Sequence, residues 1–286
     1  MLGLPSASIA LTIQPPFNNT YTAVPLGRIN GLPERYGGLA FKRGDPNTIL
    51  IGGQANSASG RFYEVPLVRD PASRKITGFG TPVATGFGAN NDGGIAYHPR
   101  GILLYSRYSN NEIGMVARGS NTQDRSVALS PFGVAASPGA LTFVPADLNG
   151  GGRLKVMSYS GARFYDLTFE DDGNGTFRIT GATQKATLQG GPEGMIYLPK
   201  GSPEFGNNQT LLVTEYGGNA IVAYSIDAEG NPIASTRKVF LSDLTRGEGA
   251  AIDPMTGDFL FSTFGTPNQV IRVEGFLAPA SVTVTS

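Results

Sequence analysis

"GGPEGMIYLP", residues 190–199, sets a glutamate between proline and glycine directly ahead of an apolar run. The stretch has siblings: "NDGGIAYHP" at 91–99, "SPGALTFVP" at 137–145, "RGEGAAIDP" at 246–254, and a looser "YGGLAFKRGDP" at 36–46. Aligned on Gly38, Gly94, Ala140, Gly194 and Gly249, they recur at intervals of 56, 46, 54 and 55 residues. Internal periods of this length mark propellers or solenoids and outrank any local reading.

Each unit continues in the same way. A second run follows: "TILIGG", "ILLYSRY", "LKVMSY", "TLLVTEY", "DFLFSTF". A third comes next: "GRFYEVPL", "EIGMVAR", "ARFYDLTF", "AIVAYSI", "QVIRVEG". Four units add a fourth: "TPVATGF", "SVALSPF", "TQKATLQ", "RKVFLSDL". These are β-branched and aromatic runs separated by turn residues. "DDGNG" at 171–175 and "DAEGN" at 227–231 are good hairpin turns. No stretch has a helical period. The last unit lacks a fourth run, whereas "YTAVPLGRI" at 21–29 has that pattern. The N-terminal segment is therefore expected to supply the outer strand of the final blade, closing a ring without an open edge.

The expected fold is a single all-β domain over residues 1–286, a β-propeller of five four-stranded blades, with 1–20 and 277–286 as peripheral extensions. A six-bladed alternative would enlist "SIALTIQ" and "SVTVTS". A solenoid would leave the fourth-strand pattern at 21–29 unexplained.

Composition narrows the function. The 22 basic and 22 acidic residues balance, and 15% charged residues give no basic face for nucleic acid. The absence of cysteine excludes disulfides, thiolate nucleophiles and cysteine-bound zinc. A single histidine, His98, argues against zinc or copper. Its place after a first strand puts it on the face away from the acids, as a solvated turn residue. No apolar run reaches the length of a membrane span. Glycine runs such as "GANNDGG" and "GGRLK" match neither a phosphate loop nor a dinucleotide fingerprint, so no nucleotide, haem or flavin is expected. The opening "MLGLPSASIALTIQPP" lacks the basic and apolar regions of a signal peptide. High Asn, Gly, Ser and Thr with few lysines suit an exported protein.

The form "P-E-G-hydrophobic … T-E-Y-G-G-N-A-I-V-A-Y", residues 192–224, resembles NHL-type repeats and the repeats of gluconolactonase- and regucalcin-like propellers. The resemblance lies in the form of the repeat along most of the chain, and it implies the propeller. Gluconolactonase-like propellers hold a divalent cation in the channel with Glu, Asn and Asp. Glu193 matches by repeat position. The three-ligand set has no residue-by-residue counterpart, so no catalytic residue is carried over.

In such a blade the first strands line the central channel, and the residues just before them crowd its mouth. Aligned, these are Gly37, Gly93, Gly139, Glu193 and Glu248, preceded by Tyr36, Asp92, Pro138, Pro192 and Gly247. Glycine lets the chain turn where a side chain has little room. Glu193 and Glu248 then point at a common mouth. Asp92 lies on the same rim, one residue out of register and beside Asn90 and Asn91. Converging carboxylates and amide oxygens suit a hard cation, Ca²⁺ before zinc. Without a cation, crowding would raise a carboxyl pKa and could make a general acid. The plain alternative is that each acid is solvated or bonded to nearby amides.

The second-to-third-strand loops open on the same face with Arg107, Tyr108, Asn110, Asn111, Glu215, Tyr216, Asn219, Phe264 and Asn268. Aromatics with amides suit a sugar or other small molecule. Tyr36, Arg107, Tyr108, Glu215, Tyr216 and Arg246 are the expected ligand-binding residues. Alternatively the rings merely close the blade tops, and Arg35 and Arg246 pair with the glutamates. The leading expectation is a binding propeller with a small-molecule, sugar or cation site at the channel mouth. A metal-assisted hydrolase or lactonase using the same carboxylates, and a protein-interaction scaffold, are the alternatives.

Overall fold

The computed structural model describes residues 11–206 and 208–277. They form an all-β ring of five blades, as the repeat spacing predicts. From the axis outward, blade 1 runs Leu39–Phe41, Thr48–Gly53 and Arg61–Arg69, with its outer edge shared by Ile76–Phe79 and Val83–Ala84. Blade 2 is Asn91–Tyr97, Leu103–Arg107, Glu112–Val116 and Arg125–Ala128. Blade 3 is Pro138–Phe143, Leu154–Ser158, Arg163–Asp171 and Phe177–Thr187. Blade 4 is Pro192–Tyr197, Thr210–Glu215, Ala220–Ser225 and Lys238–Ser242. Blade 5 is Gly247–Ile252, Phe259–Thr263 and Val270–Glu274, completed by Thr22–Gly27.

That last pairing closes the ring, with Thr22 opposite Glu274 and Pro25 opposite Ile271. The N-terminal segment does more than this. Thr12 and Ile13 pair with Ser242 and Leu241, giving blade 4 a fifth strand. These two residues of "SIALTIQ" thus extend an existing blade instead of starting a sixth, while residues 8–10 of that stretch and all of "SVTVTS" lie outside the described residues. Nor is the whole stretch up to residue 20 peripheral. Phe17 is 2% exposed and stacks on Phe205 at 4.9 Å.

The core lies in the seams between blades. Strands buried on both faces need apolar residues at successive positions, which is why the second and third runs read as nearly continuous. Ile49, Leu104, Val156, Leu212 and Phe261 are all fully buried. At the axis the innermost strands touch. A Cβ on Gly194 would overlap the Glu248 carbonyl, and one on Gly249 would lie 2.6 Å from Gly38 Cα. Hydroxyls bind three of the blades to the next at this level. Ser106 donates to the Gly139 carbonyl (3.1 Å), Thr214 to that of Glu248 (2.5 Å) and Ser262 to that of Gly37 (2.6 Å).

The innermost strands enter the sheet irregularly. In blades 3, 4 and 5 one extra residue stands opposite the second strand, at Pro138/Ala140, Pro192/Gly194 and Gly247/Ala250. In blade 2 the break between Asn91 and Ile95 holds two extra residues. Bulges of this kind re-aim side chains, and here they do so at the top of the channel.

Candidate functional site

Asp92, Glu193 and Glu248 meet at that top. One carboxylate oxygen from each lies within 4.8 Å of the others. The second extra residue in the blade 2 bulge, where the other bulges have one, explains how Asp92, one position early in the repeat, reaches the same point. The glycines at the equivalent positions make the space. A Cβ on Gly139 would overlap Glu193 Oε2, and one on Gly93 would stand 3.2 Å from Glu248 Oε2.

The acids do not sit in a solvated rim. Their exposures are 0% for Asp92, 3% for Glu193 and 1% for Glu248. Five of the six carboxylate oxygens are buried without a hydrogen-bond partner: both of Asp92, both of Glu248, and Oε2 of Glu193. Among the described residues, no lysine or arginine pairs with them. Burial is the chief cause that pushes all three carboxyl groups well above the usual range. Repulsion from Asp92 and then Glu248 adds to this at Glu193, and repulsion from Asp92 adds to it at Glu248. The Asn56 side chain, from the blade 1 top loop, faces Asp92 with its own Oδ1 unpartnered. Asn91 turns away: its Nδ2 donates to the Gly88 carbonyl at 2.7 Å, and its Oδ1 packs toward Gly37 and Gly52.

Around the acids runs an arc of aromatic rings. Tyr108, Tyr159, Tyr216 and Phe264 each follow directly on the second strand of blades 2, 3, 4 and 5. Each backbone N–H donates to a loop carbonyl of its own blade, from Asn90, Ser137, Gly191 and Arg246 respectively. The rings therefore stand at one height. Neighbouring centroids are 6.3, 5.8 and 5.9 Å apart, the last two pairs edge to face. Blade 1 has Gln54 at this position, so the arc is open on the side of Asn56. The acids raise the hydroxyl pKa of Tyr108 and Tyr216 beyond the larger effect of burial.

The other expected ligand-binding residues have partners within the protein. Tyr36 is fully buried, its hydroxyl accepting the Ile29 N–H at 3.0 Å. Arg107 pairs with Glu112 across the hairpin. Glu215 is 1% exposed and receives Arg237 bidentately at 2.9 and 2.6 Å. Arg246 lies over the Tyr216 ring, 5.6 Å from its centroid, and does not pair with Glu193 or Glu248. Arg35 instead anchors its loop, its N–H donating to Asn268 Oδ1 at 2.6 Å.

Sequence reasoning missed Tyr159 and Asn56. Tyr159 had a signal, since "LKVMSY" ends on an aromatic like its three counterparts. Asn56 had none, because its loop has no equivalent in the other repeats. His98 needs correcting as well. It is packed edge-on against Phe143, Phe169 and Phe177, with centroids at 5.2, 6.0 and 4.8 Å, instead of standing free in a turn.

No protein-family model matches the chain, and no curated protein matches it. Among solved structures it is similar to the PQQ domain of pyranose dehydrogenase from Coprinopsis cinerea in its holo form. Identity is 11%, the TM-score 0.49, and coverage 94% of this chain and 98% of that one. It is also similar to the PQQ-bound aldose sugar dehydrogenase of Streptomyces coelicolor (12% identity, TM-score 0.45, 87% and 83% covered). A third is an auxiliary nutrient binding protein of Bacteroides ovatus (10%, 0.48, 89% and 76%). At these identities none of them carries its ligand or reaction over to this chain.

Proposed function

We propose that the top face is a binding site in which Asp92, Glu193 and Glu248 hold a hard divalent cation, Ca²⁺ by preference, beneath an aromatic arc that receives a neutral polyhydroxylated small molecule of the carbohydrate class. The observation behind this reading is the set of five buried, unpartnered carboxylate oxygens. Ionised carboxylates are not left in such surroundings without compensation. An all-oxygen donor set favours calcium over softer metals. Asn56, whose side chain faces Asp92, is the candidate for a neutral oxygen ligand. Tyr108, Tyr159, Tyr216 and Phe264 offer the ring faces and hydroxyls that suit a sugar with one apolar face and many polar edges.

The test is thermal unfolding in excess calcium and in chelator. A cation bound to the folded state alone, at a hundredfold over its Kd, stabilises by about 2.7 kcal/mol. The wild type should therefore melt several degrees higher in calcium. The pair Glu193→Gln with Glu248→Gln should lose that response and melt higher than wild type in chelator, because the repulsion has gone. A wild type indifferent to both conditions would end the cation reading. Calorimetric titration with neutral monosaccharides, for wild type and Tyr216→Ala, tests the arc separately.

A further inference from the structure

On the lower face, away from the acids, aromatic rings pack two of the seams between blades. The seam between blades 2 and 3 is packed by His98, Phe143, Phe169 and Phe177. That between blades 4 and 5 is packed by Tyr21, Phe240, Phe259 and Phe276. Between blades 1 and 2 a cavity of about 600 Å³ stays open. Interiors are ordinarily packed to crystal density, so an unfilled seam of this size is a departure that invites an occupant.

Its floor is apolar, made by Leu50, Phe87, Leu103 and Val116 with the half-buried Tyr97. Its mouth is cationic. Arg43 reaches across from the first turn of blade 1, where its Nη2 donates to the Pro99 carbonyl at 3.0 Å. Arg118 comes from the far turn of blade 2. The two converge on Gly101. A Cβ there would overlap the Arg43 guanidinium and stand 3.3 Å from Arg118 Cδ. Gly101 has φ +91°, so a glycine both holds the turn and leaves room for the arginine.

The nearby carboxylates are engaged elsewhere. Asp124 accepts the Ala117 N–H at 2.8 Å and the Ser120 hydroxyl at 3.1 Å. Glu64, in the wall, is taken by Lys42 at 2.7 Å. Asp171, on the other side of Arg118, is taken by Arg100. Among the described residues neither Arg43 nor Arg118 makes an ion pair. Two arginines that meet at one turn without an ion-pair partner favour an oxyanion, which a guanidinium can bind in a fork geometry. Beside them in the mouth, Asn121 accepts the Gly86 N–H at 3.3 Å through Oδ1, and its amide nitrogen can donate to the anion.

We infer that the cleft between blades 1 and 2 is a second binding site, for a small molecule with a carboxylate or phosphate head on an apolar, ring-sized body. The head lies between Arg43 and Arg118, and the body lies on Tyr97, Phe87 and Leu103. The inference is independent of the cation reading.

The experiment is isothermal titration of the full chain at low salt with 1-naphthoate and 1-naphthyl phosphate. The tighter of the two names the head. Arg43→Gln combined with Arg118→Gln should weaken that binding at least tenfold. The uncharged 1-naphthalenemethanol, lacking the head, and inorganic phosphate, lacking the body, should each fall short by a similar factor. Arg118→Gln alone should melt like wild type, since its side chain is exposed, and should still weaken binding. Chelator should change nothing. Absence of binding by both naphthyl anions at millimolar concentration would overturn the site. So would binding unaffected by the arginine substitutions, or equal binding of the uncharged alcohol.

Discussion

A single residue can be tuned by the rings around it more than by charges. His98 accepts the Arg100 N–H at 3.2 Å through Nδ1 and is otherwise surrounded by three phenylalanines. Burial first, and the Arg100 charge second, lower its pKa. A base whose folded pKa is depressed binds fewer protons folded than unfolded. Its neutral form therefore favours folding at high pH, and the advantage is lost as pH falls below about 6.5, the unfolded value. The wild type should lose melting temperature from pH 7.5 to 5.5, and His98→Phe should lose less over the same range. His98→Ala should cost about 1 kcal/mol through lost edge-to-face contacts. Equal pH slopes for wild type and His98→Phe, measured by calorimetry, would contradict this account. Nothing around "AYHPRG" announced such packing. The three rings come from the next repeat, at sequence separations that no local pattern reports.

At the scale of the strand, the bulges decide the site. The repeat made Glu193 and Glu248 legible, because two acids replace glycine at one aligned position. It placed Asp92 one step away, and what was not legible was the second extra residue in the blade 2 bulge that cancels the offset. Burial was hidden too. The sequence shows which residues precede a strand, but not that five backbones close so tightly that the carboxylates are shut from water. The arc of rings was half legible, since the ending of each second run is aromatic in four units and Gln54 in the first. The same geometry makes the glycines testable. Gly139→Ala places a methyl group on Glu193 Oε2 and must displace it. The variant is expected to fold, with a loss of about 1–3 kcal/mol from overpacking, and to respond less to calcium than wild type. An undiminished calcium shift in its melting curve would show that Glu193 is not part of the cation site.

For the whole molecule, stability hangs on the segment that joins the two ends of the ring. Residues 11–27 supply strands to two blades and bring Phe17 and Tyr21, 2% and 3% exposed, into the aromatic cluster with Phe240 and Phe276. Tyr21→Ala should destabilise by about 3–5 kcal/mol, in the range for large aromatic truncations in a core. Removing residues up to 27 should leave the remaining four blades and a three-stranded fifth prone to aggregate, since the sheets of blades 4 and 5 each lose their outermost strand. A truncated chain that stays soluble, with an unchanged melting temperature by circular dichroism, would contradict this view of closure. The five-blade count itself was readable from spacing and from "YTAVPLGRI" alone. The sixth-blade alternative failed because two residues, Thr12 and Ile13, found a free edge on blade 4.

Closure also has a consequence in time. Synthesis runs from the amino end, so Thr22–Gly27 leaves the ribosome long before its partner Val270–Glu274. During most of the chain's production this strand is a β-segment with nobody to pair with. An orphan strand can pair with a neighbouring nascent chain on the same message. Pro25 sits in the middle of it and cannot donate to a ladder, a residue type that strands tolerate at an edge. The interruption costs little in the finished ring, where Thr22–Gly27 is outermost, and during the wait it makes a mistaken partner harder to hold.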